Sequence, residues 1–229
     1  MTAHDDQITC LAISNNGHLL ASGQRGENSD VVLWNYDQKK AIFRLSEHDH
    51  EVTALSFSYD DRLLLSCGNT LDGKLFIWNT SNGHIVSSLA IIPSVFSEAP
   101  NCLTWGGYAK DYKGRDTTNY QFAIAGKRRL TLWQLNPQSG QTNYDLINTG
   151  TTVRDYTCMA FSKSKEDYLF AGSESGDLLA FQVKNKSIAF NINACAKGIK
   201  TIRAVAVDRV VVGGGDGQVL LYSTANNQP

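Results

Sequence analysis

The sequence predicts an all-β fold made of about five similar four-stranded antiparallel sheets. Two observations carry this prediction: short apolar or alternating segments recur along the 229 residues, and an aromatic residue closes every third segment. Alternation with a period of two is typical of half-buried strands, and repetition at a regular spacing indicates a repeat architecture. The composition, 42% hydrophobic and 19% charged, excludes an intrinsically disordered chain.

The first strand of each sheet is predicted from five similar segments, 8–14, 52–58, 101–105, 156–162 and 202–207. Their alignment places Cys10, Cys102 and Cys158 at one position, where the other two segments have Ala54 and Ala204. A small buried side chain suits that position, so we interpret these thiols as core residues. The second strands end in small residues and are predicted at 19–23, 64–68, 122–126, 169–172 and 211–214.

The third strand of each sheet ends in an aromatic residue, and these are Trp34, Trp78, Trp133, Phe181 and Tyr222. Successive aromatics are 44, 55, 48 and 41 residues apart. This spacing matches the roughly 40 to 45 residues of a four-stranded propeller blade, with loops accounting for the longer intervals. Outer strands are predicted at 41–45, 84–89, 144–147 and 187–190. The predicted sheets span 4–46, 48–91, 99–149, 153–193 and 199–229, and the fifth has three strands.

Two histidines and two tryptophans carry a resemblance to the WD40-repeat family. His4 and His48 precede a first strand by four residues, and Trp34 and Trp78 close a third strand. The resemblance covers essentially the whole chain and implies a β-propeller in which His, Ser or Thr, Asp and Trp form a buried hydrogen-bonded network within each blade. The matching residues are His48, Ser66, Asp72 and Trp78 in the second sheet, and His4, Ser22 and Trp34 in the first.

The resemblance also implies that the network and the ring are incomplete. The insert 24–29 leaves the aspartate's role open in the first sheet, and Ala125, Gly172 and Gly213 take the serine position in the later sheets. The commonest ring of the family has seven blades, whereas this sequence predicts four full blades and three strands of a fifth. We therefore expect an incomplete part of such a ring, either a fragment or truncated gene model, or a chain whose open edge is covered by a partner or a second copy.

Motifs for catalysis and cofactor binding are weak. His48 and His50 are two possible metal ligands without a third nearby, and a solvated loop explains them better. The glycine-rich run 213–217 precedes a strand, whereas a phosphate-binding loop opens a helix, so the run predicts a hairpin turn. Five cysteines without a CxxC pair indicate reduced thiols. The sequence therefore predicts no enzyme, no metal site and no cofactor.

Charge and hydropathy also narrow the classes of partner. The formal net charge is -1 and no regular basic-aromatic pattern occurs, so we expect no nucleic-acid partner. The chain has no apolar stretch of about 18 residues and does not start with a signal-peptide pattern. We expect a protein of an intracellular, aqueous compartment that does not bind membranes.

Two exposed basic groups are candidate contacts for an acidic partner such as tubulin or nucleic acid. They are Lys110, Lys113 and Arg115 in the long insert 106–119, and Lys127, Arg128 and Arg129 in a turn of the third sheet. The alternative is a solvated charged loop in each case. The composition of the insert predicts a mobile or partner-ordered loop.

Several segments are similar to the cilia- and flagella-associated protein 52 family, and these are 10–14, 21–24, 30–36, 44–48, 72–78 and 172–177. The segment 21–24 also resembles the echinoderm microtubule-associated-protein-like family. The first resemblance implies a non-enzymatic scaffold of the motile axoneme, a microtubule inner protein that binds tubulin and other axonemal proteins. The alternative is a soluble WD40 adaptor, for example a substrate receptor or signalling scaffold. The sequence predicts no particular oligomeric state.

Overall fold

The computed structural model describes residues 3–90, 96, 98, 100–163, 167–206 and 209–223. Within these residues the secondary structure is entirely β, with nineteen strands in five antiparallel sheets and no helix. The described part of the chain accordingly has no long apolar helix of the kind that crosses a bilayer. The predicted sheet limits at 91, 99 and 229 lie outside the described residues.

The strands follow one another along the chain with short connections. The first sheet contains β1 (Ile8–Ile13), β2 (Leu19–Gln24), β3 (Val31–Asn35) and β4 (Lys40–Leu45), and the second contains β5 (Val52–Phe57), β6 (Leu63–Gly68), β7 (Lys74–Asn79) and β8 (Ile85–Ala90). The third contains β9 (Cys102–Lys110), β10 (Asp116–Ala125), β11 (Leu130–Leu135) and β12 (Thr142–Leu146), and the fourth β13 (Tyr156–Phe161), β14 (Tyr168–Ser173), β15 (Asp177–Gln182) and β16 (Ser187–Asn193). The fifth contains β17 (Ile199–Ala204), β18 (Arg209–Gly214) and β19 (Val219–Ser223). In every sheet, spatial order is sequence order, as the repeat predicts.

The chain divides into two compact units, which are described separately below. The first contains Met1–Pro100, Gly107–Tyr120 and Leu135–Thr142, and the second contains Asn101–Gly106, Gln121–Gln134 and Asn143–Pro229. Residues of the third sheet therefore belong to both units.

Apolar side chains of successive sheets form the cores of both units. In the first unit Val31 and Leu33 of β3 pack with Val52 and Phe57 of β5. In the second unit one cluster joins residues of the third and fourth sheets, and another joins residues of the fourth and fifth. Middle strands such as β3 and β7 are buried along most of their length, so they read as nearly continuous apolar runs rather than as simple alternation.

A β-bulge recurs near the start of the first strand in four of the sheets. The register shifts between Ile8 and Cys10 in β1, and equivalent shifts occur in β5, β13 and β17. A bulge adds one residue to a strand and breaks its period of two. Register across these sheets therefore depends on the bulge and not on alternation alone.

The observed bounds and register of β17 correct the predicted fifth repeat. β17 begins at Ile199, three residues before the prediction, and the position equivalent to Cys10 is held by Thr201 and not by Ala204. The apparent alternation after Ala204 belongs to a turn, where the N–H of Val205 donates to the Arg209 carbonyl at 3.0 Å. Val207, the predicted end of the strand, lies outside the described residues.

The outermost strands carry large exposed apolar side chains at positions that are buried elsewhere. Leu221 of β19 faces Val211 in the strand register, just as Leu33 of β3 faces Ala21. Leu221 is 55% exposed whereas Leu33 is 1% exposed. The same structural position therefore has two different environments in one chain.

This difference predicts unequal effects of the same truncation. Leu33→Ala should lower the free energy of unfolding by about 2 to 5 kcal/mol, because it leaves a cavity in a packed core. Leu221→Ala should cost less than about 1 kcal/mol, because its side chain already contacts solvent. Chemical denaturation of both variants measures the two values, and equal losses would contradict the burial pattern.

Candidate functional site

The second sheet contains a buried chain of hydrogen bonds through four side chains. His48 lies between Asp72 and Ser66, with Nδ1 2.8 Å from Asp72 Oδ2 and Nε2 2.8 Å from Ser66 Oγ. The indole N–H of Trp78 donates to the same Ser66 Oγ at 2.9 Å. Every group is satisfied if Ser66 donates its proton to Nε2 and His48 donates its Nδ1 proton to the carboxylate. The four residues predicted for this network are therefore brought together.

The turn between β6 and β7 fixes the aspartate. Asn69 accepts a hydrogen bond from the backbone N–H of Asp72 at 2.9 Å. Asp72 Oδ1 in turn accepts from the N–H of Asp49 at 2.6 Å and from that of His50 at 3.2 Å. The carboxylate thus ties the segment that enters the sheet to the turn between its second and third strands.

The surroundings of Asp72 stabilise its ionised form. Burial opposes ionisation, but the hydrogen bond from His48 and those from the backbone of His50 and Asp49 outweigh it and lower the pKa of the carboxyl below its ordinary value. The carboxylate therefore contributes to the stability of the folded sheet at neutral pH.

Ser66, His48 and Asp72 have the connectivity of a hydrolase triad, but their burial excludes that role. A nucleophilic serine has to reach a substrate carbonyl. Ser66 has no exposed surface and His48 is 1% exposed. The Trp78 indole also occupies the serine oxygen. The geometry is that of a structural network in which each buried polar group has a partner.

The first sheet builds the same network with a residue that the sequence did not reveal. His4 Nε2 lies 2.6 Å from Ser22 Oγ, which accepts from the Trp34 indole at 2.8 Å. His4 Nδ1 lies 2.6 Å from Gln24 Oε1, so an amide replaces the carboxylate. Gln24 has the register position of Gly68 in the second sheet, where a Cβ would lie 1.9 Å from the Asp72 carboxylate. The side chain at this position therefore fills the space that the aspartate fills in the second sheet.

The register corrects the predicted serine positions in the last two sheets. In the first two sheets the serine faces the residue two before the tryptophan. The equivalent residues are Ala171 in the fourth sheet and Val212 in the fifth, one position before Gly172 and Gly213. Gly172 instead lies where a Cβ would come within 2.6 Å of Ile199 Cγ2. Its small size reflects close packing of the next sheet and not a lost hydroxyl.

Different polar residues form the buried pairs of the third and fourth sheets. Trp133 donates its indole N–H to Thr131 on its own strand at 2.8 Å, and Thr131 donates to the Ile124 carbonyl. In the fourth sheet the guanidinium Nε of Arg154 pairs with Asp177 Oδ2 at 2.9 Å, and the Asp177 N–H donates to Ser173. The arginine side chain is 7% exposed. No alignment of the histidine and tryptophan positions would have indicated this ion pair.

Burial keeps the thiols protonated. All five cysteines are free, and burial raises the pKa of Cys10 to about 11 and that of Cys67 to about 12. A raised pKa keeps a thiol protonated and poorly nucleophilic. Within the described residues, no three His, Cys, Asp or Glu side chains are grouped to hold a metal ion. His48, the first residue of the suspected metal pair, is committed to Ser66 and Asp72.

The glycine-rich run is a hairpin turn, as predicted. It connects β18 to β19, and the N–H of Gly217 donates to the Gly214 carbonyl at 3.2 Å. Gly217 has a φ of 85°, which only glycine adopts readily. The backbone N–H of Gly215 is occupied by the Gly198 carbonyl.

The first basic group lies on a hairpin and not on the predicted mobile loop. β9 and β10 extend to Lys110 and Asp116, leaving a tip of five residues. Asp111 holds that tip, since its carboxylate accepts from the N–H of Lys113 at 2.8 Å and from the N–H and guanidinium of Arg115. The hydrogen bond from the Arg115 N–H is the main cause of the lowered pKa of Asp111. Lys110, Lys113 and Arg115 are all exposed.

The second basic group lies on the predicted turn of the third sheet, between β10 and β11. Lys127, Arg128 and Arg129 are exposed, and Arg128 has a φ of 66°. The N–H of Arg128 donates to the Arg154 carbonyl at 3.0 Å. The backbone of the turn is therefore fixed, while its three cationic side chains reach solvent.

Comparison with known proteins agrees with this geometry. The family model described as "WD domain, G-beta repeat" matches residues 1–35 and 39–79, which contain the two histidine networks. The chain contains WD40 repeats. Among solved structures, it is similar to the β-propeller domain of Cps50 (Swd1) from Myceliophteria thermophila, with a TM-score of 0.74 and 19% identity over 97% of this chain and 67% of that one. It is also similar to U3-55K, with a TM-score of 0.72 and 14% identity over 98% of this chain and 63% of that one. The fold is that of a WD40 β-propeller, as predicted.

The chain also has relatives with ciliary names. It is 26% identical over 96% of its length to cilia- and flagella-associated protein 52 of Chlamydomonas reinhardtii, covering 35% of that protein, and 27% identical over 99% to that of Bos taurus, covering 36%. It is 22% identical over 98% to the ciliary WD repeat-containing protein ctxp80 of Euplotoides octocarinatus, covering 30%. The chain spans about a third of the length of the curated relatives it matches.

The Asp72 network predicts an acid-dependent loss of stability. Asp72→Asn should lower the free energy of unfolding at pH 7 by about 1 to 3 kcal/mol, because a charged acceptor is removed from buried donors. Since the folded-state pKa is lowered, the contribution is complete above the unfolded value near about 3.9 and is lost as the pH falls through the folded value.

Denaturation of the wild type and the variant between neutral and acid pH measures this difference. The two curves should converge below about pH 4. Gln24→Ala is the matched control in the first sheet. An amide does not titrate, so the loss of unfolding free energy in this variant should not change with pH in the same way. A difference for Asp72→Asn that stays constant with pH would contradict the role given to the carboxylate.

Proposed function

We propose that the chain is a non-enzymatic scaffold of motile cilia or flagella that binds axonemal doublet microtubules as a microtubule inner protein. The observation that carries the proposal is the similarity to relatives named cilia- and flagella-associated protein over nearly the whole chain. The chain covers about a third of the length of those relatives, and the proposed location and partners concern that third.

The structure of the sheets suits a scaffold. Rigid antiparallel sheets hold many turns in fixed positions, so that one molecule offers several binding surfaces to protein partners. The polar side chains with catalytic connectivity are buried within a sheet, which supports a non-enzymatic role. WD40 repeats are binding platforms for other proteins. The proposed partners of this chain are tubulin and other axonemal proteins.

The turn of Lys127, Arg128 and Arg129 is a suitable contact for an acidic partner such as tubulin. The three cations are consecutive and exposed, and the backbone hydrogen bond from Arg128 to Arg154 holds the turn in place. A fixed turn loses little entropy on binding, and a cluster of cations speeds the encounter with an acidic surface.

Extraction from axonemes tests the location. A fluorescently tagged chain is expressed in ciliated cells, which are then demembranated and washed with concentrated salt. We expect the tag to stay along the doublets until the microtubules themselves are disrupted, because a luminal protein is protected from the wash. Release with the detergent-soluble fraction, or absence from cilia, would overturn the proposal and favour a soluble WD40 adaptor.

A second prediction concerns the basic turn. The triple variant Lys127→Gln, Arg128→Asn and Arg129→Gln should weaken axonemal retention by about tenfold or more, because it removes three contacts to an acidic partner. Asn is chosen at 128 because it tolerates the positive φ.

The control neutralises three exposed cations of the first sheet, Arg25→Gln, Lys39→Asn and Lys40→Gln, where Lys39 also has a positive φ, of 55°. This control should be retained like the wild type. Equal retention of both triple variants would exclude the turn as a tubulin contact while leaving the location untouched.

A further inference from the structure

A groove of about 470 Å³ opens in the first unit beside the extended hairpin of β9 and β10. Its lining includes Arg62, Leu63, Tyr108, Thr118, Tyr120 and Gln138. These residues come from the start of β6, from the hairpin and from the turn between β11 and β12. This hairpin is longer than the others, because β9 and β10 have 9 and 10 residues whereas the other described strands have 5 to 7.

The wall formed by the hairpin is fixed by tyrosines. The Tyr120 hydroxyl donates to Asp60 Oδ2 at 2.7 Å. The rings of Tyr59, Tyr108 and Tyr120 lie 5.3 to 5.9 Å apart in edge or tilted contacts. Burial and the bond to Asp60 raise the pKa of Tyr120, so its hydroxyl stays a donor. The hairpin is thereby held against the turn between β5 and β6.

The turn between β11 and β12, which carries Gln138, is fixed by a close backbone approach. The Ser87 hydroxyl of β8 donates to the Gly140 carbonyl at 2.8 Å. Gly140 has a φ of +70°, and a Cβ there would lie 2.3 Å from the Val86 carbonyl oxygen. Only glycine allows this turn to pack against β8. The hairpin and this turn are therefore organised before any ligand enters, which lowers the entropic cost of binding.

The chemistry of the lining combines one cation with neutral hydrogen-bonding groups. Among the described lining residues the one charged side chain is Arg62, which is 78% exposed. Its Nε lies 3.6 Å from Asp60 Oδ2, an oxygen that already accepts the Tyr120 hydroxyl. A guanidinium has five N–H donors, so this long pair leaves donors for a second carboxylate.

We propose that this groove binds an extended peptide segment of a partner protein, with an Asp or Glu side chain of the peptide paired to Arg62. Hydroxyl and amide groups such as those of Thr118 and Gln138 suit the N–H and C=O groups of a peptide backbone, and Leu63 supplies an apolar surface. A single cation does not suit nucleic acid, whose binding requires a series of phosphate contacts. The inference shares with the proposed function only the assumption of a protein partner.

The test uses a pool of random nine-residue peptides with Glu, Gln or Lys fixed at the centre. The 229-residue chain is the bait, and enriched peptides are resynthesised for fluorescence anisotropy. We expect selection of the Glu pool and about tenfold or greater weakening by Arg62→Gln, because a charge-assisted hydrogen bond is lost. Changing the peptide's Glu to Gln should weaken binding to a similar degree.

Two further variants distinguish the groove from the rest of the surface. Thr118→Trp fills the groove and should abolish binding, while Arg25→Gln, which removes an exposed arginine that contacts Gln7, should leave it unchanged. Thermal unfolding checks that the variants remain folded. No selection for an acidic centre, or unchanged affinity in Arg62→Gln or Thr118→Trp, would overturn the inference. A selected peptide together with a tagged chain absent from cilia would keep this inference and overturn the proposed function.

Discussion

Close approach of successive sheets is the constraint on which the rest of the structure depends. A Cβ at Gly23 would lie 2.8 Å from the side chain of Val52, and one at Gly172 would lie 2.6 Å from Ile199. Both apolar residues are completely buried by this contact. A threonine of the first strand adds a hydrogen bond across the same junction, as Thr157 does to the Ile199 carbonyl at 2.6 Å. The same device therefore joins the first sheet to the second in one unit and the fourth sheet to the fifth in the other.

Such close packing leaves polar groups in the interior, and the tryptophan indole finds its acceptor in more than one way. A buried unpaired donor or acceptor costs about 1 to 3 kcal/mol, so a tryptophan indole needs an acceptor wherever it is used. Ser66 accepts it in the second sheet, and Thr131 accepts it from the same strand in the third. The fourth sheet has Phe181 facing Leu169, an arrangement that removes the donor. The networks diverge because more than one arrangement provides the acceptor that a buried indole needs, and replacing the indole removes the need for one.

The strands could be predicted from local pattern, and the second-sheet network from the resemblance to the WD40-repeat family, whose residues recur at matching positions in this sequence. His48, Ser66, Asp72 and Trp78 have fixed spacings from apolar strands, and those spacings survive in the structure. Gln24 was missed because an insertion removed the expected aspartate, and only strand register shows which residue replaces it. The fifth repeat was misaligned by three residues because the residues that follow β17 also alternate, and only strand register shows that β17 ends at Ala204.

The hairpin of the third sheet shows the opposite failure of sequence reasoning. Its glycines, charges and threonines are typical of a loop, but Asp111 closes the tip and Tyr120 fixes the base through Asp60. The Tyr120 contact joins residues 60 positions apart, and the Asp111 contacts depend on the geometry of the turn, so composition reports neither. The buried networks and sheet junctions are already explained by stability, because their groups are satisfied among themselves. The hairpin departs from the repeat and has contacts of its own in their place, so its extra length is held by the tip hydrogen bonds of Asp111 and by the bond from Tyr120 to Asp60.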